Sequence, residues 1–308
     1  MPRPKAITQE LNVSQLGIFL LFHAVTLYLL FQVSWAPQWL ALGLGMHVLR
    51  FLGITVSLHR YFCHKAFRTS RAFQMVLALH GSLTLIRGPI RFASAHRYHH
   101  LHSDSPEDLH SPDHGFWWSY VGWLMSKDFD THTRDRVRDL RKFPELVWLD
   151  RCYWLPALVM AVMFYLVWGL EGLVWASLAS TLTTWHLAFF VTSVFHRTGH
   201  QDFETGDRSG NHLVLALLTL GEGWHNNHHR DMQSAQLGFK ISQPDPGYWV
   251  IWLLEKTGLI WDVQHFDAHR FQRPQPRPPK AAGLTKPVQA SPAIKQESDT
   301  ALLNALPH

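Results

Sequence analysis

Long apolar stretches alternate with polar, histidine-rich segments along this chain. Residues 11–49 contain no Asp, Glu, Lys or Arg, and between residues 152 and 196 the one such residue is Glu171. About 20 consecutive apolar residues allow a helix to cross the hydrocarbon core of a bilayer. The pattern therefore predicts an all-α integral membrane protein with four transmembrane helices. The predicted spans are residues 16–35, 39–58, 153–168 and 173–195.

Helix-breaking residues separate the two spans of each pair. Pro37 lies between the first two spans, and Gly-Leu-Glu-Gly at residues 169–172 lies between the last two. Proline and glycine both interrupt helices. Arg50 falls within the second span, where a charge facing lipid would be costly. We therefore expect Arg50 to face the interior of the helix bundle.

The Lys and Arg residues predict the orientation of the spans. The loops within each pair of spans contain neither residue, whereas residues 59–151 between the pairs are rich in both. Loops rich in Lys and Arg stay in the cytoplasm. We therefore predict a multi-pass protein with both termini and the central segment in the cytoplasm. This topology explains the net charge of +5, so the charge does not indicate a nucleic-acid partner.

The composition divides the chain into three segments. Residues 1–15 are predicted to be a cytoplasmic N-terminal segment, and residues 16–265 a four-span domain with a cytoplasmic cap. Residues 266–308 are rich in Pro, Ala, Gln and Lys and are predicted to be a disordered tail. Cys63 and Cys152 match no C-x-x-C pattern, and we interpret both as reduced thiols.

Histidine is the unusual residue, with 22 copies gathered largely into spaced motifs. Residues 96–100 read HRYHH and residues 225–229 read HNNHH, both of the form H-x-x-H-H. Helix positions i, i+3 and i+4 lie on one face, so each motif is expected to gather three imidazoles on one short surface. Clustered imidazoles are poor core material, because their nitrogens need partners, but they are good metal ligands.

Four groups of histidines fall on the predicted cytoplasmic side. They are residues 59–64 (HRYFCH) after the second span, the two H-x-x-H-H motifs, and His196 after the fourth span. Nine imidazoles are too many for one octahedral ion and suit two. Imidazole binds Zn, Cu, Fe and Ni, so the ligand type does not identify the metal. Two Glu-x-x-His pairs also occur, but the spans supply no further Glu of the kind found in soluble carboxylate di-iron bundles.

These motifs resemble those of the membrane fatty acid desaturases, in particular the acyl-CoA (stearoyl-CoA type) Δ9 branch. That family carries H-x-x-x-x-H, H-x-x-H-H and H-x-x-H-H on a four-span scaffold, with an additional histidine after the fourth span. The surrounding sequences GEGWHNNHH and HSDSPEDLHSP also look like this branch. The resemblance extends over about residues 15–265.

The resemblance implies an O2-dependent oxidoreductase that inserts a cis double bond at Δ9 of a saturated acyl chain, most simply an acyl-CoA. It implies two Fe(2+) ions, no catalytic side chain beyond the metal centre, and an external electron donor. That donor would be a ferredoxin, or cytochrome b5 with its reductase. The implied metal ligands are His59, His64, His96, His99, His100, His196, His225, His228 and His229.

The sequence also offers candidates for supporting roles. Thr192 stands four residues before His196, where the resembled family often has an Asn associated with the metal site. Gly43 and His47 precede His59 by roughly three to four turns of the second span and are candidates for closing an acyl tunnel. The candidate hydrogen-bond acceptors for the imidazole N–H groups are Asp104, Glu107, Asp108, Glu222 and Asn226.

Several alternatives remain open at the level of sequence. An acyl-lipid desaturase and a fatty acyl hydroxylase would use the same histidines, and a membrane zinc-binding protein would use similar ones. Arg87, Arg91 and the basic residues at 134–142 either contact a CoA phosphate or anchor lipid headgroups. The nine-ligand pattern gives no role to His102, His110, His200 and His212.

Overall fold

The computed structural model describes residues 7–129 and 136–267, and helices dominate it. The predicted cluster residue Arg134, residues 1–6 and all but the first two residues of the predicted tail lie outside this part. The α-helices are α1 (Val13–Leu30), α2 (Pro37–Leu52), α3 (Arg71–Ser82), α4 (Pro89–His102), α5 (Phe116–Tyr120), α6 (Pro144–Arg151), α7 (Leu155–Gly172), α8 (Ser180–Ser193), α9 (Leu213–Leu218), α10 (His225–Arg230) and α11 (Pro246–Lys256). Two π-helical segments are Gly53–Cys63 and Leu173–Ala179, and two short 3₁₀ turns are Pro112–His114 and Gly122–Met125.

Two short strands, β1 (Arg68–Thr69) and β2 (Ile260–Trp261), form an antiparallel pair. Arg68 pairs with Trp261 and Thr69 pairs with Ile260. The pair joins the segment that follows the second predicted span to the end of the described chain. It therefore connects the end of the described chain to the segment that follows the first histidine motif.

Three helical stretches are long and apolar enough to cross a membrane: Val13–Leu30, Pro37–Cys63 and Leu155–Ser193. The first lies earlier than the predicted residues 16–35. Asn12 caps it, because its side chain accepts a hydrogen bond from the Gln15 N–H at 3.2 Å. The sequence pattern located the apolar stretch but not this capping residue, which explains the shifted boundary.

The second stretch changes its helical geometry before it reaches the histidines. It begins at Pro37 and continues from Gly53 to Cys63 as a π-helix, past the predicted end at residue 58. The His64 N–H donates to the carbonyl of His59 at 3.2 Å. In a π-helix residues five apart are hydrogen-bonded neighbours, so this geometry brings the two ends of H-x-x-x-x-H together.

The third stretch folds back on itself within residues 155–193. Trp168 (φ −130°) and Gly169 (φ 63°, ψ −148°) interrupt its helical backbone. A Cβ atom on Gly172 would lie 2.5 Å from the carbonyl oxygen of Phe164, eight residues earlier. Eight residues of a straight helix would separate these positions by about 12 Å. The chain therefore reverses direction at the predicted Gly-Leu-Glu-Gly loop.

Arg50 lies inside the helix bundle, as predicted, with 1% of its surface exposed. Its guanidinium donates to the carbonyls of Leu83 and Ala176 and to the Ser180 hydroxyl, at 2.7–3.1 Å. These bonds join the second span, the end of α3 and the segment that leads into α8. Helices α3 and α6 pack against the π-helix through a core that includes Leu58, Phe62, Ala78, Leu146 and Leu149.

Candidate metal centre

Two short helices and two span ends bring the predicted histidines together. Helix α4 carries the first H-x-x-H-H motif and α10 the second, while the π-helix supplies His59 and His64, and His196 follows α8. Helix α10 has six residues, and hydrogen bonds to other segments of the chain hold it in place. The Asn226 N–H donates to Asn211 Oδ1 at 3.0 Å, and the Asn227 amide donates to the carbonyl of Leu237 at 2.8 Å.

Five imidazoles form one group, here called the five-histidine group. Its members are His59, His64, His96, His100 and His228, and one ring nitrogen from each lies within 4.8 Å of all the others. The Nε2 atoms face one another. Their separations are 2.8 Å for His64 to His96, 2.9 Å for His96 to His100, and 3.0 Å for His59 to His228.

Four imidazoles form a second group, here called the four-histidine group. Its members are His99, His196, His225 and His229, and their nitrogens also lie within 4.8 Å of one another. The Nε2 atoms of His196 and His225 are 2.9 Å apart, and those of His225 and His229 are 3.1 Å apart. The two groups adjoin, because the rings of His100 and His229 have centroids 4.6 Å apart.

Each H-x-x-H-H motif is divided between the two groups, which corrects the expectation of three imidazoles on one surface. Helix α4 gives His96 and His100 to one group and His99 to the other, and α10 divides its histidines in the reverse way. At 3.6 residues per turn, positions i and i+4 differ by about 40°, whereas i+3 and i+4 differ by about 100°. The i, i+4 pair therefore shares a face and the i+3 residue points elsewhere.

Four carboxylates lie behind the rings, each next to an Nδ1 atom. Glu222 is 2.7 Å from His59 and Asp108 is 2.9 Å from His99. Asp104 is 3.2 Å from His196, and Asp207 is 2.6 Å from His229. A carboxylate only accepts hydrogen bonds, so the Nδ1 atoms of His99, His196 and His229 carry the proton and donate it. The Nε2 atom of each of these rings is then left with a free lone pair.

Asp207 is the contact that sequence reasoning missed. It lies between His196 and the second H-x-x-H-H motif, in a loop where it also accepts hydrogen bonds from Thr205 and Ser209. No spaced motif includes it, and its one sequence signal is being acidic in a segment that connects two groups of histidines. Glu107, by contrast, was a candidate, but in the described structure no bond joins its carboxylate to an imidazole.

Burial disfavours the charged form of several clustered imidazoles. It lowers the pKa values of His96, His100, His225 and His228 well below the usual value, and it lowers the pKa of His99 to about 3. Burial alone would raise the pKa values of Asp108 and Asp207. The contacts with His99 and His229, including the hydrogen bonds that these rings donate, more than offset it, so the pKa values of both carboxyl groups lie below their usual range.

The facing nitrogens fit the coordination of metal ions. Imidazole nitrogens bind such ions at about 2.1 Å, which places neighbouring ligands of an octahedron about 3.0 Å apart. The measured Nε2 separations of 2.8–3.1 Å match that edge. The buried Nε2 atom of His99 has no hydrogen-bond partner within the described part of the chain. Lone pairs that face one another in this way need a cation between them.

The remaining candidates lie beside the two groups. The side-chain oxygen of Asn226 accepts hydrogen bonds from the backbone N–H groups of Asp202 and Phe203, both at 2.8 Å. These bonds stabilise the loop before α9. The hydroxyl of Thr192 donates to the carbonyl of Ser119 at 2.7 Å. In the described structure no hydrogen bond joins either side chain to an imidazole.

The other histidines are placed outside the two groups. His110 is the nearest, because its ring lies 4.2 Å from that of His99 and its Nδ1 is 3.8 Å from Asp108. The His102 ring packs on Tyr98, and His212 Nε2 is 3.0 Å from the Thr198 hydroxyl. The side chain of His200 is 77% exposed.

An apolar cavity, here called the inner cavity, adjoins the histidines. His59, His96 and Glu222 line one side of it, and apolar side chains line most of the remainder. The other described lining residues are Ile54, Ile86, Arg87, Phe92, Ala95, His110, Trp123, Leu124, Phe129, Ala188, Phe189, Val191 and Thr192. Gly43 and His47 are not among them. Gly43 packs against Trp175, and His47 Nδ1 is 3.0 Å from the Thr184 hydroxyl.

Several known proteins are similar to this chain in sequence. The profile of the family described as Fatty acid desaturase matches residues 33–236. An acyl-CoA 5-desaturase of Anemone leveillei is 36% identical over 245 residues, covering 79% of this chain and 76% of the relative. A palmitoyl-monogalactosyldiacylglycerol delta-7 desaturase of Arabidopsis thaliana is 36% identical over 263 residues, covering 83% and 70%.

A third relative is named for an acyl-lipid substrate. It is an sn-1 stearoyl-lipid 9-desaturase of Anabaena variabilis, 34% identical over 239 residues that cover 76% of this chain and 86% of the relative. The chain belongs to the fatty acid desaturase family, and it is an oxidoreductase of lipid metabolism with candidate membrane-spanning helices and histidine clusters able to hold metal. The relatives differ in double-bond position and in the carrier of the acyl chain.

Proposed function

We propose that the protein is an O2-dependent fatty acyl desaturase that inserts a cis double bond into a saturated acyl chain. The observation that carries the proposal is the pair of adjoining histidine groups beside an apolar cavity. An acyl chain in that cavity would lie next to the facing imidazole nitrogens. Family membership supports the same reaction class.

The nine histidines are proposed to hold two ferrous ions, one in each group. Bound there, the ions would supply the reduction of O2 that removal of hydrogen from an unactivated methylene pair requires. The overall reaction consumes one O2, two electrons from an external donor and two protons. It removes two hydrogens from adjacent carbons and releases two waters. A ferredoxin, or cytochrome b5 with its reductase, is the proposed class of electron donor.

The chain itself orients the ligands and confines the substrate. Asp108, Asp104 and Asp207 accept the Nδ1–H groups of three rings and so direct their Nε2 lone pairs inward. Glu222 lies 2.7 Å from the Nδ1 atom of His59. The apolar wall of the inner cavity excludes water and restricts how an alkyl chain lies beside the rings. An acid or base side chain could not remove the methylene hydrogens, because these hydrogens are not acidic.

We propose a four-span topology with both termini and the histidine cap in the cytoplasm. The reversal at Trp168 and Gly169 supports two spans within residues 155–193. The absence of Lys and Arg from the loops within each pair of spans supports the orientation. Within this proposal, residues 16–265 form the four-span domain and residues 266–308 the tail.

The position of the double bond is proposed as Δ9. The stearoyl-CoA-type motifs and the relatives named as 9-desaturases support it. Relatives named as Δ5 and Δ7 enzymes are equally similar in sequence, so a measured double-bond position decides between them. CoA and glycerolipid are both represented among the carriers of the acyl chain in the relatives' names.

The proposal is tested by the fatty acid profile of host cells that express the protein, measured by gas chromatography with double-bond localisation. We expect a new cis monounsaturated acid, and we expect His99→Ala and His228→Ala to abolish it while the protein remains in the membrane. His200→Ala is the matched control, since that imidazole is exposed, and it should retain full product. Product retained in either buried variant, or a hydroxy acid as the product, would contradict the proposal.

A further inference from the structure

A second apolar cavity, here called the outer cavity, adjoins the inner cavity. Four residues line both: Ile86, Arg87, Leu124 and Phe189. These shared residues, here called the neck, separate the two spaces, so a chain that passes from one to the other must displace their side chains. Leu85 precedes the neck with φ 57°, an unusual backbone conformation for a bulky residue. That turn after α3 places Ile86 and Arg87 against both cavities, so a chain passing the neck would reach the histidines.

The outer cavity lies where the first apolar helix meets the cap. Gln15, Ile18 and Phe19 of α1 line it, together with Trp185 of α8. Ile18 is 68% exposed, as expected of a side chain that faces lipid. The Asn12 N–H donates to the carbonyl of Met125 at 2.7 Å, which fixes the start of α1 beside the cap. The outer cavity therefore lies at the level of the membrane surface, against the lipid-facing side of α1.

Arg87 offers an unused hydrogen-bond donor at the neck. Its terminal nitrogen donates to Gln15 Oε1 at 2.8 Å, and its guanidinium lies 4.8 Å from the centroid of the Phe129 ring. Its buried Nε–H has no acceptor within the described residues. A buried donor without an acceptor is costly. An ester carbonyl carried on an acyl chain in the neck would supply that acceptor.

The one further cation that the described structure places against a lining residue of the outer cavity is already paired. Arg91, whose guanidinium lies 5.3 Å from the Tyr153 ring of the outer cavity, is 3.1 Å from Asp150. CoA carries several phosphate charges and needs free cations and water, whereas a glycerolipid keeps its head in the membrane surface and presents only an ester and a chain.

We propose that the acyl chain reaches the histidines from the bilayer, through the outer cavity, while it is still esterified to a membrane glycerolipid. This inference rests on the proposed desaturase function and replaces the acyl-CoA expectation with a lipid substrate. Ile18 and Phe19 form the lipid side of the path, and Arg87 hydrogen-bonds the ester at the neck.

The path is tested without any turnover by photolabelling the protein in vesicles. The probe is a phosphatidylcholine whose sn-1 acyl chain carries a diazirine, and labelled residues are mapped by mass spectrometry. We expect label on Leu124 and Phe189, which are 8% and 3% exposed and are inaccessible to bulk lipid. Label confined to exposed residues of α1 and α8 would contradict the path.

A matched pair of variants sharpens the labelling test. Ile18→Trp adds bulk at the outer cavity, and we expect it to reduce labelling of Leu124 and Phe189 several-fold. Val25→Trp adds similar bulk on the same exposed side of α1, two turns away and outside the described lining of the outer cavity, and it should leave the labelling unchanged. Equal labelling of the two variants would contradict the path. Both changes are on an exposed surface, which protects the fold.

The carrier is tested with two substrates for the iron-loaded protein, supplied with O2 and reduced ferredoxin. One is a vesicle phosphatidylcholine with an ester-linked stearoyl chain, assayed without CoA and ATP so that no acyl-CoA forms, and the other is stearoyl-CoA. A double bond found in the intact phosphatidylcholine supports the lipid route. A double bond formed only from stearoyl-CoA overturns it. No product from either substrate, with Leu124 and Phe189 still labelled, would contradict the desaturase function and support the path.

Discussion

At the scale of single residues, the carboxylates beside the imidazoles determine which ring nitrogen is available to bind a metal ion. Nine imidazoles were predicted from the spaced motifs, the place of His196 after the fourth predicted span and the family resemblance, and the structure places all of them in two adjoining groups. Asp207 was not predicted, because a contact between distant loop residues leaves no periodic signal. It is nevertheless the closest of the four carboxylates, at 2.6 Å from His229 Nδ1. Spacing identifies residues that share a helix face, and only the fold shows which partner lies behind them.

Removing Asp207 should weaken metal binding without unfolding the protein. We expect Asp207→Ala to lower metal affinity by about 10–100-fold, because the His229 ring would lose the acceptor that fixes its tautomer and orientation. The measurement is the metal content of purified protein after dialysis against graded chelator. Asp262→Ala is the control, since it breaks an exposed pair with Arg68 at 3.2 Å, which contributes little. Equal metal retention in both variants would contradict the role given to Asp207.

At the scale of elements, the helix geometry explains the form of each motif. The spacing H-x-x-x-x-H suits a π-helix, and H-x-x-H-H suits an α-helix whose i, i+4 pair and i+3 residue face different groups. Sequence analysis predicted helices at all these motifs, but it assumed one geometry and one surface for each triad. The departure from α to π geometry at Gly53 depends on packing between helices, which a single-sequence pattern does not contain.

Of the three glycines on the second span, Gly53 has the closest neighbouring atom. A Cβ there would lie 2.8 Å from the carbonyl oxygen of His80 in α3, whereas a Cβ on Gly45 meets nothing within 4 Å. We expect Gly53→Ala to destabilise the protein by about 1–3 kcal/mol and to reduce metal content, because the π-helix that carries His59 must shift.

The matched control is Gly45→Ala on the same helical stretch. It should leave the melting temperature unchanged or raise it, since alanine favours helix over glycine. Melting temperatures of the two variants in detergent, measured beside the unaltered protein, check the prediction. A Gly53→Ala protein as stable as the Gly45→Ala protein would show that α3 and the π-helix are not in close contact.

At the scale of the whole molecule, the polar histidine groups lie at the ends of helices that are long and apolar enough to cross a membrane. The stretches without charged residues predicted the positions of the membrane-spanning helices. Three helical stretches in the described residues are long and apolar enough to cross a membrane. The apolar pattern also predicted the reversal at residues 169–172, because glycine punctuates it. It did not predict the two adjoining cavities, since α1, α8 and the loop at Ile86 that line them are distant in sequence.

The proposed reaction reduces O2 to water at the histidine groups while two hydrogens leave the acyl chain. The most direct test supplies the iron-loaded protein with ¹⁸O2, reduced ferredoxin and a saturated acyl substrate, and follows the isotope by mass spectrometry. We predict one double bond for each O2 consumed, with ¹⁸O in water and none in the lipid. An ¹⁸O-labelled hydroxyl group on the chain, or O2-independent product, would contradict the claim.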